Sequence, residues 1–447
     1  MSGGTSPVNL VFDTDASGGN AAITVTAGAA GTHLLGQGGT WGTIVLNDNL
    51  VIDHNGSGGF GIARPIDDGA NSYSVTKNGT GQLNIAPSRD DTYSYDGGFV
   101  MNAGTVNVSN ATGFGTAAVT FNGGTITSGV DGINIGNQVL VEATANAKTL
   151  RHDSAEQTVT FSGNFTINDL DAGDFTIDVT SSGNLILGGI LSGSGGFEKT
   201  GAGTGLLRLT NANTFTGPTS VTAGTLALGA NASISSSSVI SVASGATFDV
   251  SAVTGGFALG SAQTLGGSGT VTGAVSLTST GSILSPGASP GILSFDTNQA
   301  WNAFSYEWEV NDWTGTTAGT AFDQIAITGS LDLSSGTAYQ LDLLSLDAGN
   351  ASGQVPNFAE TARSWTILTT TTGITGFNAS LWTIGTSGFS SSPTATGTFS
   401  LATGNGGQDL VLTYVPVPEP AAVGLLGVAG LCAGFGLARQ RRFLGRR

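Results

Sequence analysis

The sequence predicts an all-β protein: a right-handed parallel β-helix, or solenoid, with a β-rich C-terminal cap and one C-terminal transmembrane helix. Three observations support this prediction. The chain has 72 glycines among 447 residues, and only 10% of its residues are charged. A Gly-Thr-apolar step recurs at spacings of 20, 21 and 24 residues. No apolar pattern with the helical period precedes residue 421.

Composition explains why strands are favoured over helices. Glycine and β-branched residues lose more conformational freedom in a helix than most residues, and Ser and Asn compete there for backbone hydrogen bonds. Thr and Val instead fit a pleated sheet, while Gly supplies the positive φ that tight turns need. Apolar residues make up 39% of the chain and the charge density is low, which is not typical of a disordered protein.

The recurring step predicts a solenoid, which we place at residues 1–291. Repeats with periods of about 20–50 residues are typical of solenoids, propellers and arrays. So short a unit cannot bury its own apolar side, whereas stacked turns with parallel strands enclose one continuous interior. The step occurs at Gly104-Thr105-Val106, Gly124-Thr125-Ile126, Gly224-Thr225-Leu226, Gly245-Ala246-Thr247-Phe248 and Gly269-Thr270-Val271.

A change in sequence character marks the predicted β-rich cap at residues 292–414. The segment LSPGASPGILSF (284–295) contains two Ser-Pro steps, which we expect outside the sheet because proline has no N–H for the ladder. Five of the six tryptophans follow residue 300, and the alternating runs become longer. A solenoid needs a cap because its last turn exposes unpaired strand edges and apolar core.

The charge distribution excludes nucleic acid as a partner. The net charge is −17, and five of the 13 basic residues lie in the last nine positions. Residues 1–438 therefore hold 8 basic against 30 acidic residues, a net of −22. Affinity for nucleic acid comes mainly from basic groups on phosphates, which such a surface lacks. The single cysteine, Cys432, excludes an intrachain disulfide.

The first residues, MSGGTSPVNLVFDTDASGG, contain neither a basic n-region nor an apolar h-region, so no secretory signal peptide is visible. The rest of the chain has the composition of an exported protein. We therefore expect the true start of the protein to lie elsewhere than Met1.

A longer repeat overlies the short period. It comprises Lys-x-Gly-x-Gly, an alternating strand, a Thr-aromatic turn and an Ala-Gly-Thr-apolar strand, and we call it the repeat frame. One copy lies near 74–108 and contains SVTKNGTGQLNIA. The other lies near 195–228 and contains FEKTGAGTGLLRLT. A match at this many ordered positions is specific.

The repeat frame resembles the autotransporter-associated β-strand repeat, also called the passenger-associated transport repeat. The better copy has Gly195-Gly196-Phe197-x-Lys199-x-Gly201-x-Gly203, then Asn213-Thr214-Phe215-Thr216-Gly217 and Gly224-Thr225-Leu226. The first copy departs from this pattern through an insertion around Tyr93–Gly98. The resemblance covers about half of the chain and implies a β-helical surface protein.

Residues 415–447 resemble the PEP-CTERM sorting signal. Its three parts occur in order as Val417-Pro418-Glu419-Pro420, an apolar span over 421–438, and a tail with Arg439, Arg441, Arg442, Arg446 and Arg447. As a helix rising about 1.5 Å per residue, the span measures roughly 27 Å, close to the hydrocarbon thickness of a bilayer. The positive-inside rule keeps the arginines cytoplasmic and leaves residues 1–415 outside.

This second resemblance implies how the protein is sorted. Proteins with this signal are exported by Gram-negative bacteria that also make exopolysaccharide, and an exosortase, a membrane protease, is thought to cut at the motif. The implied partners are the exosortase, the inner membrane and exopolysaccharide. The protein is then held briefly in the inner membrane before it reaches the cell surface or the extracellular space.

Few side chains form a pattern that would support catalysis. Glu307 and Glu309 in YEWEV lie two residues apart on one strand face, and carboxylates roughly 7 Å apart suit an inverting glycosidase. An ordinary strand with a solvated acidic face gives the same pattern. His33, His54 and His152 lack metal-pair spacing, so we expect solvated turn residues. We predict no catalytic, cofactor or metal site.

Two acidic turns and three aromatic residues are the other candidates. Asp13-x-Asp15-x-Ser17-Gly18 begins like a calcium loop but has Thr24 at the twelfth position, and residues 168–174 form a second acidic turn. Three aromatic side chains have the chemistry to stack on sugars, although packing under turns is the role that we favour: Tyr93, Tyr95 and Trp313.

These features favour an exported structural protein of the cell surface or extracellular matrix that has no enzymatic activity. Two alternatives stay open. One is a glycan-binding adhesin, which binding to a glycan array without turnover would favour. The other is a β-helical polysaccharide-degrading enzyme that uses Glu307 and Glu309. The scarcity of Lys and Arg counts against this enzyme, because known β-helix lyases usually use a basic residue near their carboxylates.

Overall fold

A computed structural model of the protein describes residues 8–13, 19–28, 31–36, 41–85, 91–168, 174–180, 182–201 and 203–417. In these ranges the chain is all-β apart from two 3-10 turns, Ala379–Leu381 and Asn405–Gly407. Most neighbouring strands are parallel. The prediction of an all-β fold built from parallel sheets is therefore confirmed.

The strands are short and closely spaced in most of the chain. In residues 8–135 they are β1 (Val8–Phe12), β2 (Ala21–Val25), β3 (His33–Leu35), β4 (Trp41–Leu46), β5 (Leu50–His54), β6 (Gly59–Ile62), β7 (Ile66–Asp67), β8 (Val75–Asn78), β9 (Gln82–Ile85), β10 (Phe99–Met101), β11 (Thr105–Val108), β12 (Val119–Phe121), β13 (Gly124–Thr127) and β14 (Ile133–Ile135). In residues 139–272 they are β15 (Val139–Val141), β16 (Lys148–His152), β17 (Thr158–Phe161), β18 (Phe165–Ile167), β19 (Phe175–Val179), β20 (Asn184–Leu187), β21 (Leu191–Ser192), β22 (Phe197–Thr200), β23 (Leu206–Leu209), β24 (Thr219–Val221), β25 (Thr225–Leu228), β26 (Val239–Val242), β27 (Thr247–Asp249), β28 (Phe257–Ala258), β29 (Thr264–Gly267) and β30 (Thr270–Thr272).

Later strands are longer. They are β31 (Val275–Pro286), β32 (Ile292–Phe295), β33 (Gln299–Val310), β34 (Gln324–Ile327), β35 (Ser330–Asp332), β36 (Ala338–Ser345), β37 (Arg363–Thr370), β38 (Gly373–Thr375), β39 (Trp382–Gly388), β40 (Thr398–Gly404) and β41 (Asp409–Val415).

The chain coils so that its strands lie on three faces, although some turns have strands on only two of them. Face 1 begins with β2, β5, β8, β10, β12, β15, β18 and β21 and ends with β28, β31, β33, β35 and β38. Face 2 runs from β3 and β6 through β9, β11, β13, β16, β19, β22, β24, β26, β29, β31, β33 and β36 to β39. Face 3 begins with β1, β4 and β7 and continues from β14 to β37. This stacking is consistent with a parallel β-solenoid.

Alternation of inward and outward side chains along most strands builds the interior. Residues at equivalent positions of successive turns stack in register, because a parallel ladder aligns the side chains of neighbouring strands. One inward column on face 1 has no member more than 2% exposed: Leu50, Val75, Phe99, Val119, Val139, Phe165 and Leu191. The outward neighbours are mostly polar, which gives the alternation seen in the sequence.

Parallel pairing continues across the predicted boundary at residues 291 and 292. On face 3, β30 pairs with β32 and β32 with β34; on face 2, β31 pairs with β33 and β33 with β36. The boundary therefore separates short turns from wider ones and does not interrupt the ladder. Four tryptophans are buried in the wider turns: Trp301, Trp308, Trp313 and Trp365.

One expectation about the Ser-Pro steps is wrong. Ser285 and Pro286 are the last two residues of β31, and Ser285 lies in register with Gly266 on β29. Proline is tolerated there because it occupies the final position of the strand. The second step, Ser289-Pro290, lies in the turn before β32, where Ser289 has a φ of 99°.

The C-terminal end of face 3 departs from the parallel pattern. β37 pairs antiparallel with β41, and β41 pairs antiparallel with β40. This arrangement places β40 at the outermost position of the face. Among the residues that the structure describes, none forms a helix with the length and hydrophobicity needed to cross a bilayer. The predicted span over 421–438 lies outside the described residues.

Candidate functional site: lysine cages, carboxylate strand and polar columns

The lysine of the repeat frame lies inside the coil. Lys77 on β8 and Lys199 on β22 both have no solvent-exposed surface. The Nζ of Lys77 donates to the carbonyl oxygens of Asn78 (2.5 Å), Gly79 (2.8 Å) and Ala103 (3.3 Å). The Nζ of Lys199 donates to those of Thr200 (2.5 Å) and Ala223 (3.1 Å). We call each such arrangement a lysine cage.

Each lysine cage joins two successive turns of the coil. Ala103 and Ala223 are the alanines of the Ala-Gly-Thr step, one turn beyond their lysines. Carbonyl oxygens buried without a donor would cost free energy, and the ammonium group supplies several donors at once. The spacing from Lys-x-Gly-x-Gly to Ala-Gly-Thr therefore records a contact between neighbouring turns, which explains why these parts of the frame occur together.

Burial lowers the pKa of both lysines from the ordinary value of 10.5 to about 8. The negative charges of Asp53 near Lys77 and Asp178 near Lys199 oppose this effect without cancelling it. A buried ammonium with a lowered pKa is one way to prepare a lysine for chemistry. Here the donors of Nζ are directed at backbone carbonyls, so the geometry supports a structural role.

The lysine cage requires glycine at the second position of the Ala-Gly-Thr step. Gly104 has a φ of +77°, and a Cβ atom there would lie 2.5 Å from the carbonyl oxygens of Gly79 and Gly81 and 2.9 Å from the Nζ of Lys77. Gly224 has a φ of +68°, and its Cβ would lie 3.0 Å from the Nζ of Lys199. Both backbone conformation and space therefore favour glycine at this position.

The two copies of the frame lie on different faces of the coil. In the first copy the lysine strand β8 belongs to face 1 and the following strand β9 to face 2. In the second copy β22 belongs to face 2 and β23 to face 3. The frame therefore specifies a contact between neighbouring turns and is independent of the face that carries it.

The two glutamates of the enzymatic alternative lie as predicted on one side of β33. Glu307 and Glu309 are partly exposed, while Tyr306, Trp308 and Val310 are fully buried on the other side. Burial raises the pKa of the Glu309 carboxyl, and the negative charge of Glu307 adds to this effect, although a hydrogen bond with Ser289 opposes it.

A third carboxyl group, which no sequence pattern indicates, lies at this place. Asp323, immediately before β34, is fully buried. Its carboxyl oxygens accept hydrogen bonds from the backbone N–H of Gly291 (2.7 Å) and of Glu309 (3.0 Å). Burial raises the pKa of Asp323 well above its ordinary value. Asp323 thus fastens the Ser-Pro-Gly turn to β33, which gives it a structural role.

The expectation that the histidines are solvated turn residues is wrong for two of them. His54 and His152 are fully buried, whereas His33 is exposed. The Nδ1 of His54 lies 3.0 Å from the carbonyl oxygen of Gln82. Both ring nitrogens of His152 lie within hydrogen-bond distance of carbonyl oxygens, those of Ser128 (2.9 Å) and Gln157 (3.0 Å). These rings, like the lysines, contact backbone carbonyl oxygens near the turns.

The aromatic candidates pack in the interior. Tyr93, Tyr95 and Trp313 are at most 1% exposed, so the preferred role of packing under turns is confirmed. Of the first acidic turn Asp13 is described, and of the second Asn168 and Asp174; their other residues lie outside the described ranges. In the part of the chain that the structure describes, no group of three or more His, Cys, Asp or Glu side chains is placed to hold a metal ion.

Outward side chains form long polar columns. On face 2, one column follows eight successive turns: Gln82, Thr105, Thr125, Thr149, Thr176, Glu198, Ser220 and Ser241. At the end of the face 1 strands, Asn122 donates to Asn102 and Asn102 to Asn78, both at 2.8 Å. A groove of about 390 Å³ lies on face 2, with Thr105, Thr125, Asn107 and Arg151 among its lining residues.

The predicted sorting motif falls at the limit of the described chain. Val417 is 56% exposed and is the last described residue. Pro418, Glu419 and Pro420 lie outside the described residues, as do Arg439, Arg441, Arg442, Arg446 and Arg447. The motif and the tail therefore remain predictions.

Comparison with known proteins bears on the repeat frame. A family model of the passenger-associated-transport-repeat matches residues 197–228, which contain the second lysine cage. This match confirms the repeat part of the resemblance and indicates an autotransporter-like passenger or surface protein. A search of curated proteins found no match to the chain.

Proposed function

We propose that this chain is an exported structural protein of the cell surface or extracellular matrix, sorted through its C-terminal segment. The matched passenger-type repeat is the observation that carries the proposal. The fold supports it, because polar columns cover a long stack of turns. The buried side chains of His54, His152 and the two repeat-frame lysines contact backbone carbonyls. Its mechanism is the display of an extended polar surface.

The winding of the coil is proposed to be right-handed. Strands of one face are joined by a crossover through the other two faces, and parallel crossover connections are right-handed in about 98% of cases.

Sorting is proposed to depend on Val417-Pro418-Glu419-Pro420, the apolar span and the arginine tail. The span would cross the inner membrane, and Arg439, Arg441, Arg442, Arg446 and Arg447 would hold its end in the cytoplasm. Each proline biases the preceding residue towards an extended backbone, which keeps the motif outside the helix and accessible to an exosortase. Release would deliver the protein to an exopolysaccharide-containing surface.

Intact mass of the protein recovered from exosortase-positive cells tests this proposal. We expect a mature species that ends near the motif. Glu419→Gln should block processing and leave the protein in the membrane fraction, whereas Glu198→Gln, a matched change on an outward column, should not. Replacement of the five tail arginines by Ser should let the span pass completely across the inner membrane or insert in the wrong orientation. A mature species that still contains Arg447 would refute processing and leave a plain membrane anchor.

Glycan binding is a second candidate function. The observation that favours it is the groove on face 2, whose lining offers hydroxyl, amide and guanidinium groups. Binding of the full-length chain to a glycan array, lost in Thr105→Val with Thr125→Val and kept in Thr225→Val on face 3, would support it.

A further inference from the structure

A pocket of about 380 Å³ lies near the C-terminal end of the coil, and we call it the aromatic pocket. Its walls come mainly from the segment between β39 and β40 and from the start of β40, and its lining includes Phe389, Ser390, Thr394 and Phe399. Ligand sites usually have volumes of about 300–1,000 Å³. The aromatic pocket is separate from the groove on face 2, so the glycan-binding candidate does not account for it.

Two phenylalanine rings form the aromatic wall. Phe389 and Phe399 are only partly buried, and their ring centroids are 5.4 Å apart. The ring centroid of Phe389 lies 5.8 Å from that of Trp313, and the ring centroid of Phe399 lies 5.0 Å from that of Tyr414. Trp313 and Tyr414 are at most 1% exposed. The two phenylalanines are therefore the uncovered part of an otherwise buried aromatic cluster.

Hydroxyl groups surround this aromatic wall. Thr386, Ser390 and Thr394 are exposed and line the pocket. A hydroxyl group can donate a hydrogen bond to a carbonyl oxygen of a bound peptide. An occupant with apolar side chains and free backbone carbonyl oxygens therefore suits both parts of the lining.

The chain leaves the last strand beside the aromatic pocket. Gly397 lines the pocket, and a Cβ atom on Gly397 would lie 2.3 Å from the carbonyl oxygen of Val415, the last residue of β41. Val417 is 56% exposed. At about 3.1 Å per residue, the five residues 416–420 can extend roughly 15 Å, so they can enter a pocket that begins at their starting point.

The segment that follows β41 has the composition that aromatic grooves bind. Residues 415–420 read VPVPEP, with proline at every second position. Proline-rich segments favour the polyproline II helix, which leaves its backbone carbonyl oxygens free for other donors. Aromatic-lined grooves recognise this helix, because its preformed geometry lowers the entropy cost of binding.

We propose that residues 416–420 occupy the aromatic pocket of the same chain as a polyproline II segment. With three residues per turn, Val417 and Pro420 share one edge of the segment. Pro418 lies on a second edge and Glu419 on the third. The two apolar edges face the phenylalanine rings, and the Glu419 carboxylate points to solvent.

This inference goes beyond the proposed function, because it concerns a contact within the uncut chain. Docking holds the predicted sorting motif at the end of the coil and presents Glu419 in one orientation. The test below involves no processing. Docking can therefore fail while sorting stands, and sorting can fail while docking stands.

Thiol alkylation of the full-length chain, purified from cells that lack an exosortase, tests the proposal. In a Cys432→Ser background, Ser390→Cys places a thiol in the pocket. Ser400→Cys, on β40, places a matched exposed thiol outside the lining. Replacement of Pro418 and Pro420 by Ser should accelerate alkylation at position 390. The rate at position 400 should not change, which also shows that the variant is folded.

The expected acceleration is about tenfold. A segment on a short linker has an effective concentration of about 1 mM, so a dissociation constant of about 0.1 mM leaves the pocket free roughly a tenth of the time. Alkylation at position 390 occurs only while the pocket is free, and its rate follows that fraction.

A synthetic VPVPEP peptide gives a second readout. It should bind the variant that lacks Pro418 and Pro420 and protect a thiol at position 390 from alkylation. Its apparent affinity for the chain that keeps both prolines should be about tenfold weaker, because the tethered segment competes for the pocket. A VAVAEA peptide should protect neither protein.

Three outcomes would overturn the proposal. Equal alkylation at position 390 with and without the prolines would show that this segment does not occupy the pocket. Protection that is lost only when residues 421–438 are replaced by a Gly-Ser sequence would assign the pocket to the apolar span. Protection that depends on protein concentration would assign it to a second copy of the chain.

Discussion

The close approach of Gly104 to the first lysine cage leads to a sharp prediction. Gly104→Ala should loosen two neighbouring turns far more than Gly245→Ala, a matched change in another Gly-Thr step. Both glycines have positive φ, +77° and +81°, so each variant places an L-residue in left-handed geometry at a cost of about 1–2 kcal/mol. A Cβ at Gly245 meets nothing within 4 Å.

The additional cost at Gly104 comes from contact. Its Cβ would lie 2.5 Å from two backbone carbonyl oxygens and 2.9 Å from the Nζ of Lys77, so backbone must shift. Overpacking of this kind costs about 1–3 kcal/mol. Since about 1.4 kcal/mol corresponds to a tenfold change in an equilibrium constant, the two variants should differ by about 5- to 150-fold in local opening.

Hydrogen exchange measured by mass spectrometry is the suitable assay, because it reports local opening in a protein whose turns contact mainly their neighbours. Gly104→Ala should accelerate exchange in peptides that cover 75–85 and 99–108, with little change in β36. Gly245→Ala should give only a small acceleration around its own turn. Equal effects of the two substitutions would refute the argument that the cage makes this glycine necessary.

Three further predictions concern charge and chemistry. Between pH 8 and about 10, Lys77 and Lys199 are protonated in the unfolded chain but largely deprotonated in the folded chain. The free energy of unfolding should therefore rise with pH in this range. Chemical denaturation should show this rise, and Lys199→Met should make it smaller. Asp323→Ala leaves two buried backbone N–H groups without an acceptor and should destabilise the fold by about 1–3 kcal/mol for each group, visible as faster proteolysis in the Ser-Pro-Gly turn. The full-length chain should release no sugars from a polysaccharide panel, and release abolished by Glu307→Gln with Glu309→Gln would establish the enzymatic alternative.

The periodicity of the sequence predicted most of the structural features that recur from turn to turn. The Gly-Thr step and the alternating strands were enough to predict parallel stacking, because these features reflect contacts made again in every turn. The structure places Thr105, Thr125 and Thr149 in one column, as a common period requires. The repeat frame was likewise recognised from sequence, and the family match at 197–228 confirms it.

What depends on a single long-range contact was not predicted. Asp323 precedes an ordinary strand, and only the fold brings its carboxyl group to the N–H of Gly291, 32 residues earlier. The lack of metal-pair spacing led us to expect His54 and His152 in solvent, but spacing does not report burial. At the end of a strand in this coil, each ring turns inwards to a backbone carbonyl. The lysines were recognised as part of a motif, but their burial is visible only when the next turn is in place.

The rotation of the repeat frame by one face has a consequence for how such a gene can grow. Each copy of the repeat frame needs only the following turn to form its lysine cage, whichever face its lysine strand belongs to. Duplication or loss of a stretch that encodes whole turns would therefore leave the remaining cages intact, even where an irregular insertion shifts the phase. The coil would lengthen or shorten by about 4.8 Å for each turn, so selection could set the length of the protein in steps of one turn.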